Sequence, residues 1–189
     1  MKQNPLNIRF VMMAVSALII LVGFTAPEQA VAASATEINI GADATLQRFK
    51  REVTGGAQFL NKSEAVLVFP SVLKAGFVVG GEYGEGALRV GGKTVGYYST
   101  AGASIGFQVG AQSKSVVLVF LSKQALNSFR RSDGWKVGVD GSVAIVKWGV
   151  GEDVNTVEMD TPVVGFVFGN KGLMYNLTLE GSKFSRIKR

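Results

Sequence analysis

The side chains able to do chemistry in this chain are carboxylates and cations, because it contains neither cysteine nor histidine. Ser-His-Asp and Cys-His relays are therefore excluded, and a zinc centre would have to be built from carboxylates alone. Glu82 and Glu85, in Gly81-Glu82-Tyr83-Gly84-Glu85-Gly86, have the residue types of an acid/base pair or an oxygen-ligand metal site. Such work needs two carboxyl groups held across a cleft, and the surrounding glycines point instead to a solvated turn. Residues 87–94, ALRVGGKT, approximate a phosphate loop. A true loop opens a helix whose first amides hold phosphate, yet Val95-Gly96-Tyr97-Tyr98-Ser99-Thr100 follows, which favours a strand, a Gly-Gly-Lys turn and another strand. Asn61-Lys62-Ser63 and Asn176-Leu177-Thr178 match glycosylation triplets, the second inside an alternating strand pattern. The expectation is a protein that is not an enzyme and needs no cofactor or metal.

The cations are more informative. They cluster at Arg48, Lys50 and Arg51, at Arg130 and Arg131, and in the tail at Lys183, Arg186, Lys188 and Arg189. At about 1 kcal/mol per cation near an anionic membrane, the tail contributes roughly 4 kcal/mol, which corresponds to about millimolar binding. Useful affinity then needs a second basic patch or apolar insertion. The helix carrying Leu46, Phe49 and Val53 supplies insertion only if its stripe does not already face the core.

Several elements must position these groups. Ala42, Leu46, Phe49 and Val53 form one stripe of a 3.6-period helix over residues 41–53, with Arg48, Lys50 and Arg51 pointing elsewhere. Gly55-Gly56 should stop it, and a short helical piece should cover Ala57 to Glu64. A further helix is expected at Lys123 to Arg131, with Ala125, Leu126 and Phe129 at helical spacing. The five-residue apolar runs Ala65–Phe69 and Val116–Phe120 read as buried strands, and the alternation of Leu173, Tyr175, Leu177 and Leu179 as a half-buried one. A Gly-aromatic-x-Val/Phe-Gly pattern recurs as GFVVG (76–80), GFQVG (106–110), GWKVG (134–138) and GFVFG (165–169). Turn signals follow three copies: Gln112-Ser113-Lys114, Asp140-Gly141 and Asn170-Lys171-Gly172. The fold class expected is α+β and β-rich, a strongly bent or barrel-like antiparallel sheet of hairpin units, with flanking helices near residues 42–63 and 123–131.

The first residues read as an address. Lys2 and Arg9 precede an uncharged run from Phe10 to Phe24, followed by small residues and two A-x-A sites, Ala30-Val31-Ala32 and Ala33-Ser34-Ala35. This is the layout of a secretory signal, 1–32, cleaved after residue 32 or 35. The alternative is a retained anchor, but fifteen apolar residues fall short of the roughly 20 a spanning helix needs. Removal leaves 18 basic and 13 acidic residues. A basic exported chain meets anionic headgroups rather than nucleic acid, and without cysteine it is not a lipoprotein.

Four segments, residues 65–88, 91–112, 132–147 and 162–184, resemble in order the bacterial branch of the SYLF lipid-binding domain family, and the likeness runs through about residues 42–189. The resemblance implies a single domain over residues 36–189, phospholipid or phosphoinositide-type headgroup binding, and no catalysis. It also implies a lipid-binding role for an amphipathic N-terminal segment with basic residues, which by position are Phe49 with Arg48, Lys50 and Arg51. Lys183, Arg186, Lys188 and Arg189 join this set on electrostatic grounds. Eukaryotic relatives are coupled to actin, which is not expected of an exported chain. The expected function is a periplasmic or secreted protein, peripheral to a membrane, that binds anionic phospholipid through basic residues and a shallow apolar surface. The alternatives are a soluble periplasmic carrier or sensor of an acyl chain, and an envelope scaffold.

Overall fold

The computed structural model describes residues 32–106, 111–147, 161–171, 179 and 181–189. Its order is α1 (Ala35–Glu52), α2 (Gly56–Lys62), β1 (Ala65–Val90), β2 (Lys93–Gly106), β3 (Ala111–Phe120), α3 (Lys123–Arg131), β4 (Trp135–Lys136), β5 (Ala144–Lys147), β6 (Val163–Lys171) and β7 (Lys183–Ile187). The strands form one sheet in the order β4-β7-β2-β1-β3-β6-β5. All pairings are antiparallel except that of β5 with β6, and the sheet curls into a half-barrel. The bent α+β sheet expected from the sequence is what forms.

The curl comes from β1. Its 26 residues would span about 86 Å if straight, far longer than the domain. Its first part pairs with β3 and its second with β2, and Pro70, which has no N–H to give the ladder, sits at the register shift between Phe69 and Val72. The strand then folds back over itself. A Cβ added at Gly84 would lie 2.7 Å from the Ser71 carbonyl oxygen, and one at Gly86 would run into the Val68 carbonyl, so only glycine permits this approach. Gly91 and Gly92, both at positive φ, make the tight turn between β1 and β2, as the Gly-Gly-Lys reading anticipates.

Two cores result. The concave face carries Leu67, Phe69, Leu88, Tyr98, Leu118 and Phe120, plugged by Phe129 of α3, Trp135 and Phe184. The convex face carries Val66, Val68, Val117, Val119, Phe166 and Phe168, covered by Ile38, Ala42 and Phe49 of α1 and Phe59 of α2. Phe166 receives Phe49 and Phe59 edge-on, with centroids 4.8 and 5.0 Å away. Each such pair adds about 1 kcal/mol beyond its burial.

The short helices follow their signals. α3 spans the residues expected, with Ser122 capping Ala125 and Leu126 and Phe129 buried. α1 starts six residues earlier than the stripe suggests, because Ser34 and Glu37 form a reciprocal capping box: the Ser34 amide donates to Glu37 at 2.7 Å and the Glu37 amide to Ser34 Oγ at 3.2 Å. The Ser34 amide, then its side chain, hold the Glu37 carboxyl below its ordinary value of 4.5.

The repeat copies take different roles. At 165–169 the pattern lies in β6 with Phe166 and Phe168 buried on the convex side; at 134–138 it supplies Trp135 and Val137 to the concave core. Copy 76–80 lies in β1, and 106–110 lies outside the described residues apart from Gly106. Gln112-Ser113-Lys114 is not a turn but the interior of β3, paired with Leu73 and Lys74 and with Val72. Asp140 does close a turn, its carboxylate accepting from the Lys136 amide at 2.7 Å. Of the 173–179 alternation only Leu179 is described, and it is buried.

Candidate functional site

The tail cations emerge from β7, which lies between β2 and β4. Phe184 fixes this strand from inside: fully buried, its ring lies 5.4 Å from Phe69 and 6.0 Å from Trp135. Pairing of Tyr97 with Ile187 and Tyr98 with Arg186 sets the register. An open groove of about 500 Å³ runs along this edge, lined by Gly96, Tyr97, Arg186, Ile187, Lys188 and Arg189. Gly96 lies against the Arg186 guanidinium, where a Cβ would sit 3.7 Å from Nε, an ordinary van der Waals contact. Tyr97 is held from behind, its hydroxyl accepting from Asn39 Nδ2 of α1 at 2.9 Å.

Most of the charge along this edge is uncommitted. Lys183, Arg186 and Lys188 are exposed and make no ion pair among the described residues. Arg189 differs, because it is paired with Glu85. Arg130 of α3 joins the same field: burial pushes the Tyr98 hydroxyl above its ordinary value of 10.0, while Arg186 and Arg130 both pull it back down. The three unpaired β7 cations provide about 3 kcal/mol at an anionic surface.

The α1 cluster is a separate patch. Arg48 is tied to Glu52 at 3.1 Å and lies over the Phe168 ring, 5.6 Å from its centroid. Lys50 and Arg51 are exposed on the last turn. Asn39, which holds the Tyr97 hydroxyl, and Lys50 lie roughly 16 Å apart along the helix axis. Phe49 requires a correction: it is fully buried between α1 and Phe166 and Phe168, so the apolar stripe holds the helix to the sheet and offers nothing to a bilayer. Among the described residues no helix is long and apolar enough to cross a membrane.

A second correction concerns Glu82 and Glu85, which are not solvated. Glu82 faces into the half-barrel, where Lys114 Nζ donates to it at 2.8 Å and Ser182 Oγ at 3.1 Å; the Lys114 and Glu82 side chains are only 2% and 7% exposed. Lys74 and Gln112 are buried on the same two strands, and Thr100 is buried on β2. The pair runs from β3 to the second half of β1 and so ties opposite walls of the curl. Glu85 accepts from Tyr83 at 2.7 Å and from the Ala33 amide at 3.2 Å, besides pairing with Arg189. Among the described residues, no group of three or more metal-type ligands gathers. The described part of the concave core is filled by aromatic rings, so a carrier cavity finds no support there.

The register held a signal for the buried pair. Val72 and Val116 face inward, so Lys114, two residues before Val116, must face inward too.

No curated protein matches the chain. Residues 101–188 match the family model described as Ysc84, Las17-binding protein actin regulator. That stretch contains the end of β2, the Lys114 end of the buried pair, α3 and the β7 cations. Through residues 101–188, therefore, the chain is similar to the Ysc84, or SYLF, domain family, with which lipid binding in general is associated.

Proposed function

We propose that this is an exported, non-catalytic, peripheral membrane protein that binds anionic phospholipid at the β7 edge. One observation carries the reading. Arg186 and Lys188, unpaired among the described residues, line an open groove with Tyr97 and Ile187 at the end of a strand anchored by Phe184, and Lys183, also unpaired, lies at the start of that strand against Gly134. Phosphate suits the cations, and the two apolar side chains suit the glycerol and upper acyl region. Export, to a periplasmic or extracellular face, is supported by the signal pattern of residues 1–32. The family description speaks of actin regulation, a partner that an exported chain would not meet.

The test is vesicle flotation with a headgroup panel at low and high salt. Binding should rise with the anionic fraction and fall with salt. Replacing Lys183, Arg186 and Lys188 by Gln should weaken it by about 100-fold, the equivalent of about 3 kcal/mol. Equal binding to neutral and anionic vesicles would overturn the proposal. Truncation after Gly181 is the wrong probe, because it deletes Phe184 from the core.

A further inference from the structure

Two A-x-A sites lie next to each other at residues 30–35, and the sequence alone does not choose between them. The fold separates their products. Hydrolysis of the Ala32–Ala33 bond adds water, leaving a carboxylate on Ala32 and an ammonium on Ala33. Hydrolysis after Ala35 would make Thr36 the first residue.

Three independent features favour the first cut. Ala33 packs on the convex core, and the compact unit begins at Ala33. Ser34 caps α1 through the box with Glu37, so a cut after Ala35 would remove the cap and start the chain inside the helix. The third feature is the carboxylate that faces the backbone nitrogen of Ala33. Glu85 Oε2 accepts from that nitrogen at 3.2 Å, while Oε1 takes the Tyr83 hydroxyl and Arg189. The Glu85 side chain is only 8% exposed.

We infer that the signal peptidase cuts after Ala32 and that the α-ammonium it creates on Ala33 binds Glu85, making this carboxylate the receptor for the mature N-terminus. The inference rests on the export reading. Before cleavage Glu85 meets a neutral amide; afterwards it meets a full positive charge at the same place. Processing thereby adds a charge-assisted bond between α1 and the second half of β1, and Arg189 brings the residues after β7 to the same carboxylate.

The full chain, expressed in a bacterium and recovered from the exported fraction, gives its N-terminus by intact mass. Ala33 is expected. A Thr36 start overturns the inference and leaves the export reading standing, whereas a chain retaining residues 1–32 sinks both. The docking itself is tested by acetylating the exported protein near neutral pH, where α-amines react ahead of lysines. Acetylation of Ala33 should lower the thermal midpoint by about 3 °C, and in Glu85→Gln the same treatment should change it by less than about 1 °C. An equal drop in both proteins, or none in either, overturns the docking.

Discussion

Lys114 and Arg186 carry the same charge on strands of one sheet, and both are bound up with the concave side of the curl. Lys114 is almost fully buried and spends its charge on Glu82. Arg186, at the exposed end of β7, has no carboxylate partner among the described residues. The first is enclosed because β1 folds back over it; the second stays open because β7 is flanked by β4, which is only two residues long. Residue type says little here about use. Position across the curl decides whether a cation holds walls together or waits for a ligand.

The widest separation should come from Lys114→Met. Leaving the Glu82 carboxylate buried without its partner should cost about 3–5 kcal/mol, seen as a drop of about 10 °C in thermal midpoint. Adding Glu82→Leu should restore much of the loss, since an apolar pair of similar volume is tolerated where half an ion pair is not. If Lys114→Met melts like the parent, the strut is not a strut. The triple Gln variant of β7 should do the opposite, losing vesicle binding while its midpoint moves by no more than about 2 °C, because exposed unpaired cations contribute little to folding.

Smaller effects refine the contrast. Ser34→Ala removes the α1 cap and should cost about 1 kcal/mol, measurable by urea unfolding, with vesicle binding unchanged. The alkaline limb should be subtler still. Burial raises Tyr98; burial, and then the hydrogen bond to Glu85, raise Tyr83. Their contribution is complete below the ordinary value of 10.0 and is lost as pH climbs through the higher folded values. Arg186→Gln removes a charge that pulls Tyr98 down, so in that variant Tyr98 should ionise at higher pH by tyrosinate absorbance. No movement would place the Arg186 guanidinium away from Tyr98.

Local patterns served where local physics decides. α3 was legible because Ser122 and the Leu126 and Phe129 spacing act within one helix, and the Gly91-Gly92 turn because two positive-φ residues suffice for it. The bent sheet itself followed from glycine and aromatic content. GGEYGEG resembles a turn and so hides the burial of Glu82, whereas the glycines serve a close approach of β1 to itself; that approach joins residues far apart in sequence and leaves no local trace. Phe49 carried both meanings, since an amphipathic stripe suits a membrane or a sheet equally, and only the Phe166 and Phe168 rings resolve it. Ser34 belongs to an A-x-A motif and also begins a capping box, so the cleavage pattern masks the start of α1.

β7 slots between β2 and β4, and Ser182 beside it reaches Glu82 across 100 positions of chain. Such distant pairing forms late in folding. A nascent polypeptide halted anywhere before Lys183 would lack both the aromatic wedge that shuts the bore and the β7 cations beside it, so the bilayer adhesion proposed for this edge would begin only when folding is finished.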